Sequence, residues 1–329
     1  MKLSMKSNCF FFIFFFLIAV LLSCQAPPEE PLQIGYIDWP GYEILYLAQQ
    51  KDFFQEEKAP ILLKDFSSFS DLRKALQLGR LDGAAMSINE MLLARLGEEY
   101  RVVFVLNVSQ GADGIVGQHE FQSIRNLKHK RVGVELTGLG GYLLARALEI
   151  ADMEISEVIR VNMTATIEAY TAFSERKVDA VVTFEPILSR LVTEQGGKIL
   201  FTSREIPDEI INVLIFHKDA LKYRRDDCLR VLRGYLKARE FWKKEPDQAI
   251  AIMARRERVS PDYFRQSLNG LLIPDLSTNL TYFGLSDTEN YFLESIKNFQ
   301  SFMEENDLPY GPVYFENLLN DLKRHEQFS

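Results

Sequence analysis

Short, mainly apolar runs alternate with segments of helical spacing through the first two thirds of this chain. The runs fall at 33–37, 59–64, 83–86, 101–106, 131–135, 158–161, 180–183 and 198–201. Between them apolar residues recur every three or four positions, as in Ile44, Leu47 and Ala48. Strands that alternate with helices of this length predict an α/β fold in which a parallel sheet is covered on both faces.

A repeated stretch suggests that this region contains two lobes of similar construction. Residues 80–87 read Arg-Leu-Asp-Gly-Ala-Ala-Met-Ser, and residues 176–183 read Arg-Lys-Val-Asp-Ala-Val-Val-Thr. Each follows a helical pattern and ends a predicted strand on a hydroxyl residue, although so short a match also arises by chance.

The last third of the chain is mainly helical. A strongly β-forming run at 210–216 comes first and is long enough to cross between lobes. Helices are predicted after it at 220–244, 246–258, 261–272 and 287–305. Proline at a first helical position, Pro261, and a capping box at 286–289 support two of these starts.

The glycine turn at 136–142 carries the clearest candidate chemistry. The strand at 131–135 runs into Leu-Thr-Gly-Leu-Gly-Gly-Tyr and then into an amphipathic helix. Free backbone N–H groups at the positive end of a helix predict a cradle for an anion or a polar group. Glycines also occur at such turns for steric reasons alone. A dinucleotide fingerprint is disfavoured because its third glycine would fall at Leu143.

The N-terminus has the form of a lipoprotein signal. Lys2 and Lys6 precede a continuous apolar run at 10–22, which is too short to span a membrane comfortably. A signal peptide is therefore predicted over 1–23, with a plain secretory signal as the alternative. Cys24 directly follows the small residue Ser23, which resembles the bacterial lipobox. Acylation of Cys24 would anchor the protein outside the cytoplasm, with 24–31 as an extended tether.

Charge and cysteine content exclude several classes of protein. The formal net charge is −8, and removal of Lys2 and Lys6 with a leader leaves 36 basic against 46 acidic residues. Nucleic acid is not an expected partner, because phosphate binding needs a basic field. Only Cys228 would remain besides Cys24 and Cys9, which leaves with the leader, so no intramolecular disulfide is expected. The histidines show no metal-ligand spacing, and we predict no metal and no cofactor.

Four stretches together resemble a known family. They are Asp-Trp-Pro-Gly-Tyr at 38–42, Ser-Gln-Gly-Ala-Asp-Gly-Ile-Val at 109–116, the strand and glycine turn from 127, and Val-Asp-Ala-Val-Val-Thr-Phe-Glu-Pro at 178–186. In this order they resemble the solute-binding proteins of ABC importers in the nitrate, taurine and aliphatic-sulfonate group, which are similar to the thiamine-pyrimidine binders. The likeness extends over residues 33–311.

The resemblance implies a periplasmic-binding-protein-like fold of type II, with two α/β lobes, a central cleft and two hinge crossings near 108–114 and 210–217. Lobe 1 would comprise 32–112 and 217–329 with its C-terminal helices, and lobe 2 would comprise 113–216. The implied protein is a monomer that closes on a small-molecule ligand and delivers it to an ABC permease and ATPase complex.

Ligand-binding residues follow from the resemblance and from the loops at the ends of the strands. They are Trp39, Tyr42, Ser87, Asn89, Asp113, Gly114, Thr137, Gly138, Leu139, Gly140, Gly141, Tyr142 and Glu185. The two aromatics at 39 and 42 could instead be packing residues, and the two carboxylates at 113 and 185 could instead cap turns.

The residue types in the predicted cleft favour a polar organic ligand. A donor-rich helix end suits an anionic or carbonyl group, carboxylates suit an amine or amidine, and aromatics suit a flat body. Neither the loop of Trp39 nor the turn at Gly138 supplies an arginine or lysine, so a sulfonate or taurine-like or an aminopyrimidine-like ligand is favoured over bare nitrate or sulfate. Arg146 or Arg190 in the cleft would reverse this preference.

Two other classes of function remain open. An enzyme is disfavoured because the Gly-x-Ser-x-Gly elbow is absent, and because the chain lacks the cysteine-rich motif of the yeast pyrimidine synthases that share the implied fold. A ligand-sensing lipoprotein would use the same closure as a transport protein, so the sequence does not separate sensing from import.

Overall fold

The computed structural model describes residues 30–163, 166–283, 291–316 and 318–326. The chain divides into two units, residues 1–31 and 32–329. The predicted signal peptide, Cys24, most of the tether and the predicted capping box at 286–289 lie outside the described residues.

The larger unit contains all of the strands that the described residues form. In chain order they are β1 (Leu32–Ile37), β2 (Ile61–Phe66), β3 (Gly83–Ser87), β4 (Tyr100–Ser109), β5 (Asp113–Gly117), β6 (Arg131–Val134), β7 (Ile159–Asn162), β8 (Ala180–Phe184), β9 (Lys198–Thr202), β10 (Ile211–His217) and β11 (Leu271–Leu272).

Helices connect and cover these strands. They are α1 (Glu43–Gln50), α2 (Phe53–Glu56), α3 (Phe69–Gln77), α4 (Ile88–Ala94), α5 (Leu139–Ile150), α6 (Thr166–Ser174), α7 (Ile187–Gln195), α8 (Lys218–Tyr223), α9 (Arg225–Lys244), α10 (Pro246–Arg256), α11 (Pro261–Leu268), α12 (Leu276–Tyr282), α13 (Tyr291–Glu305) and α14 (Leu319–Glu326).

The strands form two mixed sheets with the same central arrangement. The first has the order β11-β4-β10-β3-β1-β2, and the second has the order β7-β6-β8-β5-β9. In the first, β1 pairs in parallel with β2 and β3, while β10 runs antiparallel to β3 and β4. In the second, β6 pairs in parallel with β7 and β8, while β5 runs antiparallel to β8 and β9.

The repeated stretch has a structural cause at its two aspartates. Asp82 Oδ2 accepts the backbone N–H of Gln33 at 2.8 Å, just before β3. Asp179 Oδ2 accepts the backbone N–H of Arg131 at the same distance, just before β8. Each aspartate N–H also donates to the carbonyl of that same partner residue. The two stretches therefore have the same role, because Asp82 holds β3 against β1 and Asp179 holds β8 against β6.

Alternate residues along the second sheet pack into different clusters. Ile115 of β5 and Val182 of β8 join the cluster beneath α5, whereas Val116 and Val181 join the cluster with Phe173 of α6 and Leu188 of α7. Both faces of the sheet are thus covered by helices, as the alternation of strands and helices predicts.

Two connections link the sheets, and they lie side by side. Residues 110–112 lead from β4 to β5, and residues 203–210 lead from β9 to β10. The hydroxyls of Ser109 and Ser203 are 2.8 Å apart, and Ser203 Oγ also accepts the N–H of Gly111 at 2.7 Å. The backbone N–H of Ser109 donates to Ile210 O at 3.0 Å.

The structure corrects several predictions. The sheets are mixed rather than parallel, because the strand that enters each from the other sheet, β10 in the first and β5 in the second, runs antiparallel to both of its neighbours. The run at 210–216 is a strand of the first sheet, so the second crossing lies before it. The helix predicted at 261–272 ends at Leu268, since Asn269 and Gly270 stop it and the next two residues pair with β4.

Candidate ligand-binding site

A cavity of about 820 Å³ lies where the parallel strands of both sheets end. Residues 37–39 after β1, residues 66–69 after β2 and residues 182–184 of β8 line it, together with the start of α5. Residues 257–260 and Tyr263, from the C-terminal helical region, complete the wall. Ligands in α/β sheets bind at this edge of the strands, which makes the cavity the candidate site.

Trp39 reaches the cavity because a buried amide holds its ring. Its Nε1–H donates to Asn107 Oδ1 at 3.1 Å, and Asn107 Nδ2 donates to Gly41 O at 3.0 Å. A Cβ on Gly41 would come within 2.3 Å of Asn107 Nδ2, which explains the glycine in the Trp-Pro-Gly sequence. The indole edge then meets Phe184 of the second sheet, with ring centroids 5.5 Å apart.

Tyr42 holds a residue of the cavity wall but does not line the cavity itself. Its hydroxyl donates to Asn212 Oδ1 at 2.6 Å, and Asn212 Nδ2 donates to Asn107 Oδ1 at 3.0 Å. Asn212 lines the cavity, whereas Tyr42 does not. The buried pair of Asn107 and Asn212 was missed by sequence reasoning, because asparagine inside an apolar strand has no periodic signal.

Asp113 and Thr183 are buried polar residues that line the cavity. Both residues are 4% exposed. Asp113 Oδ2 and Thr183 Oγ1 have no hydrogen-bond partner among the described residues. Burial raises the pKa of Asp113 to about 7, a hydrogen bond from Ser109 opposes the rise, and the charge of Glu185 adds to it.

The start of α5 binds a carboxylate that belongs to the chain itself. Leu139 and Gly140 line the cavity, but the N–H of Leu139 donates to Glu90 Oε1 at 3.2 Å. Glu90 is buried and pairs with Arg73, whose guanidinium also lies 3.9 Å from Glu135 Oε1. One N–H of the predicted anion cradle is thus bound by Glu90 of α4.

Other predicted site residues lie outside the cavity wall. Ser87 caps α4 by accepting the N–H of Glu90 at 3.1 Å. Asn89 is fully buried, and neither atom of its amide has a partner in the described part of the chain. Gly114 packs against Leu188 within the second sheet.

The remaining members of the glycine turn serve the fold around α5. Thr137 is exposed, and Gly138 is the N-cap, where a Cβ would come within 2.8 Å of the Glu135 carboxyl carbon. A Cβ on Gly141 would meet the Leu136 carbonyl oxygen at 2.4 Å. The ring of Tyr142 packs against Phe299 and Phe302, and its hydroxyl donates to Glu209.

Glu185 caps a turn instead of lining the cavity. The hydroxyl of Ser189 donates to its Oε1 at 2.6 Å and the backbone N–H of Ser189 donates to its Oε2 at 3.2 Å. Of the two roles open to this carboxylate in the sequence, the structure shows the capping role at the start of α7.

The two arginines that could supply a positive charge are already paired. Arg190 lines the cavity, but its Nε donates to Glu194 Oε1 at 3.1 Å and its guanidinium stacks 4.5 Å from the centre of the Tyr170 ring. Arg146 donates to both carboxylate oxygens of Glu209 at 3.0 Å.

An ion-pair cluster flanks the cavity beneath α10. Arg256 pairs with Glu43, Asp65 and Asp38, and its guanidinium lies 4.3 Å from the centre of the Tyr36 ring. Burial and the neighbouring Glu257 raise the pKa of Glu43. Burial also raises the pKa of Glu257, which lines the cavity. Glu43 Oε2 and Glu257 Oε1 are both buried without a hydrogen-bond partner among the described residues.

Two further properties of the structure bear on the class of protein. Within the described ranges, no three His, Cys, Asp or Glu residues are grouped so that they could hold a metal ion. Nor does any described helix have the length and apolar character needed to cross a membrane.

A family model described as the NMT1-like family matches residues 25–256 of this chain, which is more than half of it. The chain belongs to the NMT1-like family. A relative from Brucella abortus (strain 2308), which carries only the general name of a binding protein, is 23% identical over 246 residues, covering 74% of this chain and 76% of that protein.

Solved structures share the fold of this NMT1-like chain. The periplasmic aliphatic sulphonate binding protein SsuA from Escherichia coli matches with a TM-score of 0.69 at 18% identity, covering 86% of this chain and 94% of that one. The ligand binding component of an ABC-type import system from Staphylococcus aureus also matches with a TM-score of 0.69, at 20% identity and 90% and 98% coverage. These matches confirm the predicted periplasmic-binding-protein fold.

The same fold also carries catalysis in another protein. The desulfurization enzyme DszB matches with a TM-score of 0.66 at 15% identity, covering 89% of this NMT1-like chain and 99% of that one. A shared fold does not by itself decide function, so function has to be argued from the residues of the site. Cys228 is fully buried in α9, outside the cavity wall, and burial raises its thiol pKa to about 12. This thiol is therefore not an activated nucleophile.

Proposed function

We propose that this protein is the solute-binding component of an ABC importer. It would capture one small polar organic molecule, of the sulfonate or taurine-like or the aminopyrimidine-like class, and deliver it unchanged to a permease and ATPase complex. The observation that supports this most is the cavity itself, in which buried oxygens of Asp113 and Thr183 lack a partner among the described residues. Buried polar atoms without partners cost free energy, and a bound ligand would recover it.

Contacts that join the two sheets suggest how the protein would close. Trp39 meets Phe184 on one side of the cavity, and the hydroxyls of Thr193 and Tyr263 are 3.1 Å apart on another. Glu90 binds the start of α5. These contacts would form on closure around the ligand and break on opening. The proposed lobes are 32–112 with the C-terminal helices and 113 to about 210, because β10 pairs with the first sheet.

Trp39, Asp113, Leu139 and Gly140 are the proposed ligand contacts among the residues predicted from sequence, because all four line the cavity. Asn212, Thr183 and Phe184 join them from the structure. Catalysis is not part of the proposal, since the lone described thiol, Cys228, is buried away from the cavity.

A ligand screen by thermal unfolding tests the proposal. The form that begins at Gln25 would be melted with a library of small nutrients that includes taurine, alkanesulfonates and aminopyrimidines. A ligand at a hundred times its dissociation constant stabilises the folded state by about 2.7 kcal/mol, which is a readily measured rise in melting temperature. The proposal fails if no compound of any class raises the melting temperature, or if the bound compound is chemically changed.

Import is distinguished from sensing by uptake. Deletion of the gene should abolish uptake of the radiolabelled ligand by cells, and a plasmid copy should restore it. Normal uptake with loss of a transcriptional response to the ligand would replace import with sensing.

The proposal includes a lipid anchor on Cys24, which would hold the protein outside the cytoplasm as a monomer. Cells labelled with palmitate should incorporate the label into the wild-type chain and into Cys228→Ser, but not into Cys24→Ser. Label on the Cys24→Ser variant would remove the anchor from the proposal and leave ligand capture untouched.

A further inference from the structure

We infer that the ligand is a small organic cation, a protonated amine or amidine on a flat and largely apolar body, whose N–H groups bind Asp113 Oδ2 and Thr183 Oγ1. This inference rests on the proposed function and narrows it to one charge class. It departs from the aliphatic sulphonates after which the Escherichia coli protein is named, because a sulfonate is an anion.

The acceptors of the cavity define one end of the site. Asp113 and Thr183 lie on the neighbouring antiparallel strands β5 and β8, where Gly114 is paired with Thr183. The carboxyl group of Asp113 takes a hydrogen bond from Ser109, and its Oδ2 has no partner within the described residues. A carboxylate oxygen accepts hydrogen bonds only, so the group that satisfies it must be a donor.

The charges along the cavity oppose an anion. Five acidic residues line it, at positions 38, 113, 135, 194 and 257, against two basic residues, Arg190 and Arg258. Three of the acids have cationic neighbours, because Arg190 pairs with Glu194, Arg256 pairs with Asp38, and Arg73 lies 3.9 Å from Glu135. The carboxyl groups of Asp113 and Glu257 remain, against Arg258. A negative charge on the ligand beside the Asp113 carboxylate would be repelled, whereas a positive charge would be attracted.

The helix end that could have favoured an anion is already bound. Glu90 Oε1 accepts the N–H of Leu139, and Glu90 is itself fully buried and paired with Arg73. To bind at this helix end, a ligand sulfonate would have to displace the buried carboxylate of Glu90 and its partner Arg73. The start of α5 therefore stabilises the closed form through Glu90 and does not favour a negatively charged ligand.

Aromatic rings form the walls beside the acceptors. Trp39, Phe66, Phe69 and Phe184 all line the cavity, and the rings at 39 and 184 meet edge to face. Flat faces of this kind suit an aromatic or amidine body, and aromatic rings also attract a cation placed over them.

A matched set of probes tests the charge class by titration calorimetry on the form that begins at Gln25. Benzamidine and benzylamine carry the proposed cation, benzyl alcohol is the neutral match of benzylamine, and benzenesulfonate carries a sulfonate with no cationic group. We expect a cationic probe to bind at least about tenfold more tightly than benzyl alcohol, because hydrogen bonds to charged groups are the stronger ones. Benzenesulfonate should show no binding at millimolar concentration.

Variants assign the effect to the two acceptors. Asp113→Asn should weaken the cationic probe by roughly 10- to 100-fold, and Thr183→Val should weaken it by less. Asp247→Asn, the same change on an exposed residue of α10, is the control and should leave affinity unchanged. Melting curves of each variant show whether it is folded.

Three results would overturn the inference. One is that a sulfonate binds as tightly as the cations, a second is that a folded Asp113→Asn binds benzamidine as the wild type does, and the third is that no cationic probe binds at millimolar concentration. None of these removes the proposed function, which the nutrient screen decides separately, since a sulfonate or neutral hit there would leave ligand capture standing.

Discussion

The carboxylate of Glu90 and the backbone of Leu139 are joined across the two sheets, with Oε1 accepting the N–H at 3.2 Å. Glu90 follows β3 of the first sheet, and Leu139 begins the helix after β6 of the second. The negative side chain lies at the positive end of that helix, which is the favourable arrangement for a helix dipole. This contact leads to the first prediction.

Glu90→Gln should weaken both closure and stability. The variant keeps an oxygen for Leu139 but loses the charge that pairs with Arg73, so we expect the free energy of unfolding to fall by about 1.5–3 kcal/mol. Ligand affinity should fall by roughly tenfold, because the closed form loses the attraction between this negative charge and the positive end of α5, which the open form does not have. Urea denaturation and calorimetry measure the two effects. Glu120→Gln, on an exposed pair with His119, should change neither. Unaltered affinity in a destabilised Glu90→Gln would restrict this residue to a role in folding.

Neighbouring glycines of α5 should respond differently to alanine. A Cβ on Gly141 would lie 2.4 Å from the Leu136 carbonyl oxygen, so Gly141→Ala should destabilise the protein by about 1–3 kcal/mol. A Cβ on Gly140 has no neighbour closer than 3.5 Å, so Gly140→Ala should keep or slightly raise stability through its helix propensity. The new methyl group should still lower ligand affinity, because Gly140 lines the cavity. Equal melting temperatures for the two variants would contradict the described turn.

The ligand-free protein should lose stability between pH 4 and pH 7 through Asp113. Its pKa in the folded state is about 7, raised by burial and by Glu185 against the hydrogen bond from Ser109, while the usual value is 3.8. The stability linked to a raised pKa is fully present below the unfolded value and is lost as pH rises through the folded value. Asp113→Asn should therefore match the wild type near pH 4 and exceed it at pH 8 by on the order of 2 kcal/mol.

Urea denaturation at both pH values checks this prediction, with Asp247→Asn as the control. Glu135 and Glu257 also have raised pKa values in the folded state, so the wild type keeps part of its pH dependence in the Asp113→Asn background. A variant that is equally destabilised at pH 4 and pH 8 would show that Asp113 serves packing rather than binding.

Arg256→Met should cost far more than Arg265→Met. Arg256 holds the fully buried Glu43, and removal of one partner of a buried pair costs about 3–5 kcal/mol. Arg265 pairs with the exposed Asp247, and such surface pairs contribute about 0–1 kcal/mol. Chemical denaturation at neutral pH compares the two. Similar losses of stability in the two variants would mean that Glu43 takes up a proton when Arg256 is removed. Denaturation near pH 5 would then confirm this, because the effect of Arg256→Met would disappear there.

The sequence predicts the part of the cavity wall that comes from the ends of strands. Trp39, Asp113 and Gly140 lie far apart in the chain, and they line one cavity because the strands before them end at the same edge. The repeated aspartates at 82 and 179 were likewise visible as a motif, since the same backbone contact is made in each sheet.

The rest of the site depends on packing that no local pattern records. Residues 257–260 and Tyr263 line the cavity because α10 and α11 pack beside the first sheet, and helical periodicity does not say which neighbour a helix will meet. The pairing of Arg190 with Glu194 and of Leu139 with Glu90 decides the charge of the site. The second of these contacts joins residues 49 positions apart, which sequence spacing does not reveal.

The shared hydroxyl at Ser203 has a mechanical consequence. Because this hydroxyl contacts Ser109 and Gly111, it joins the two connections between the sheets, and they act as a single pivot. Any turning of one sheet against the other must bend both connections together. Asp113 lies immediately beyond this pivot, while Thr193 and Tyr263 meet on different elements, α7 and α11. A small rotation would thus separate those two hydroxyls while hardly displacing the carboxylate that receives the ligand.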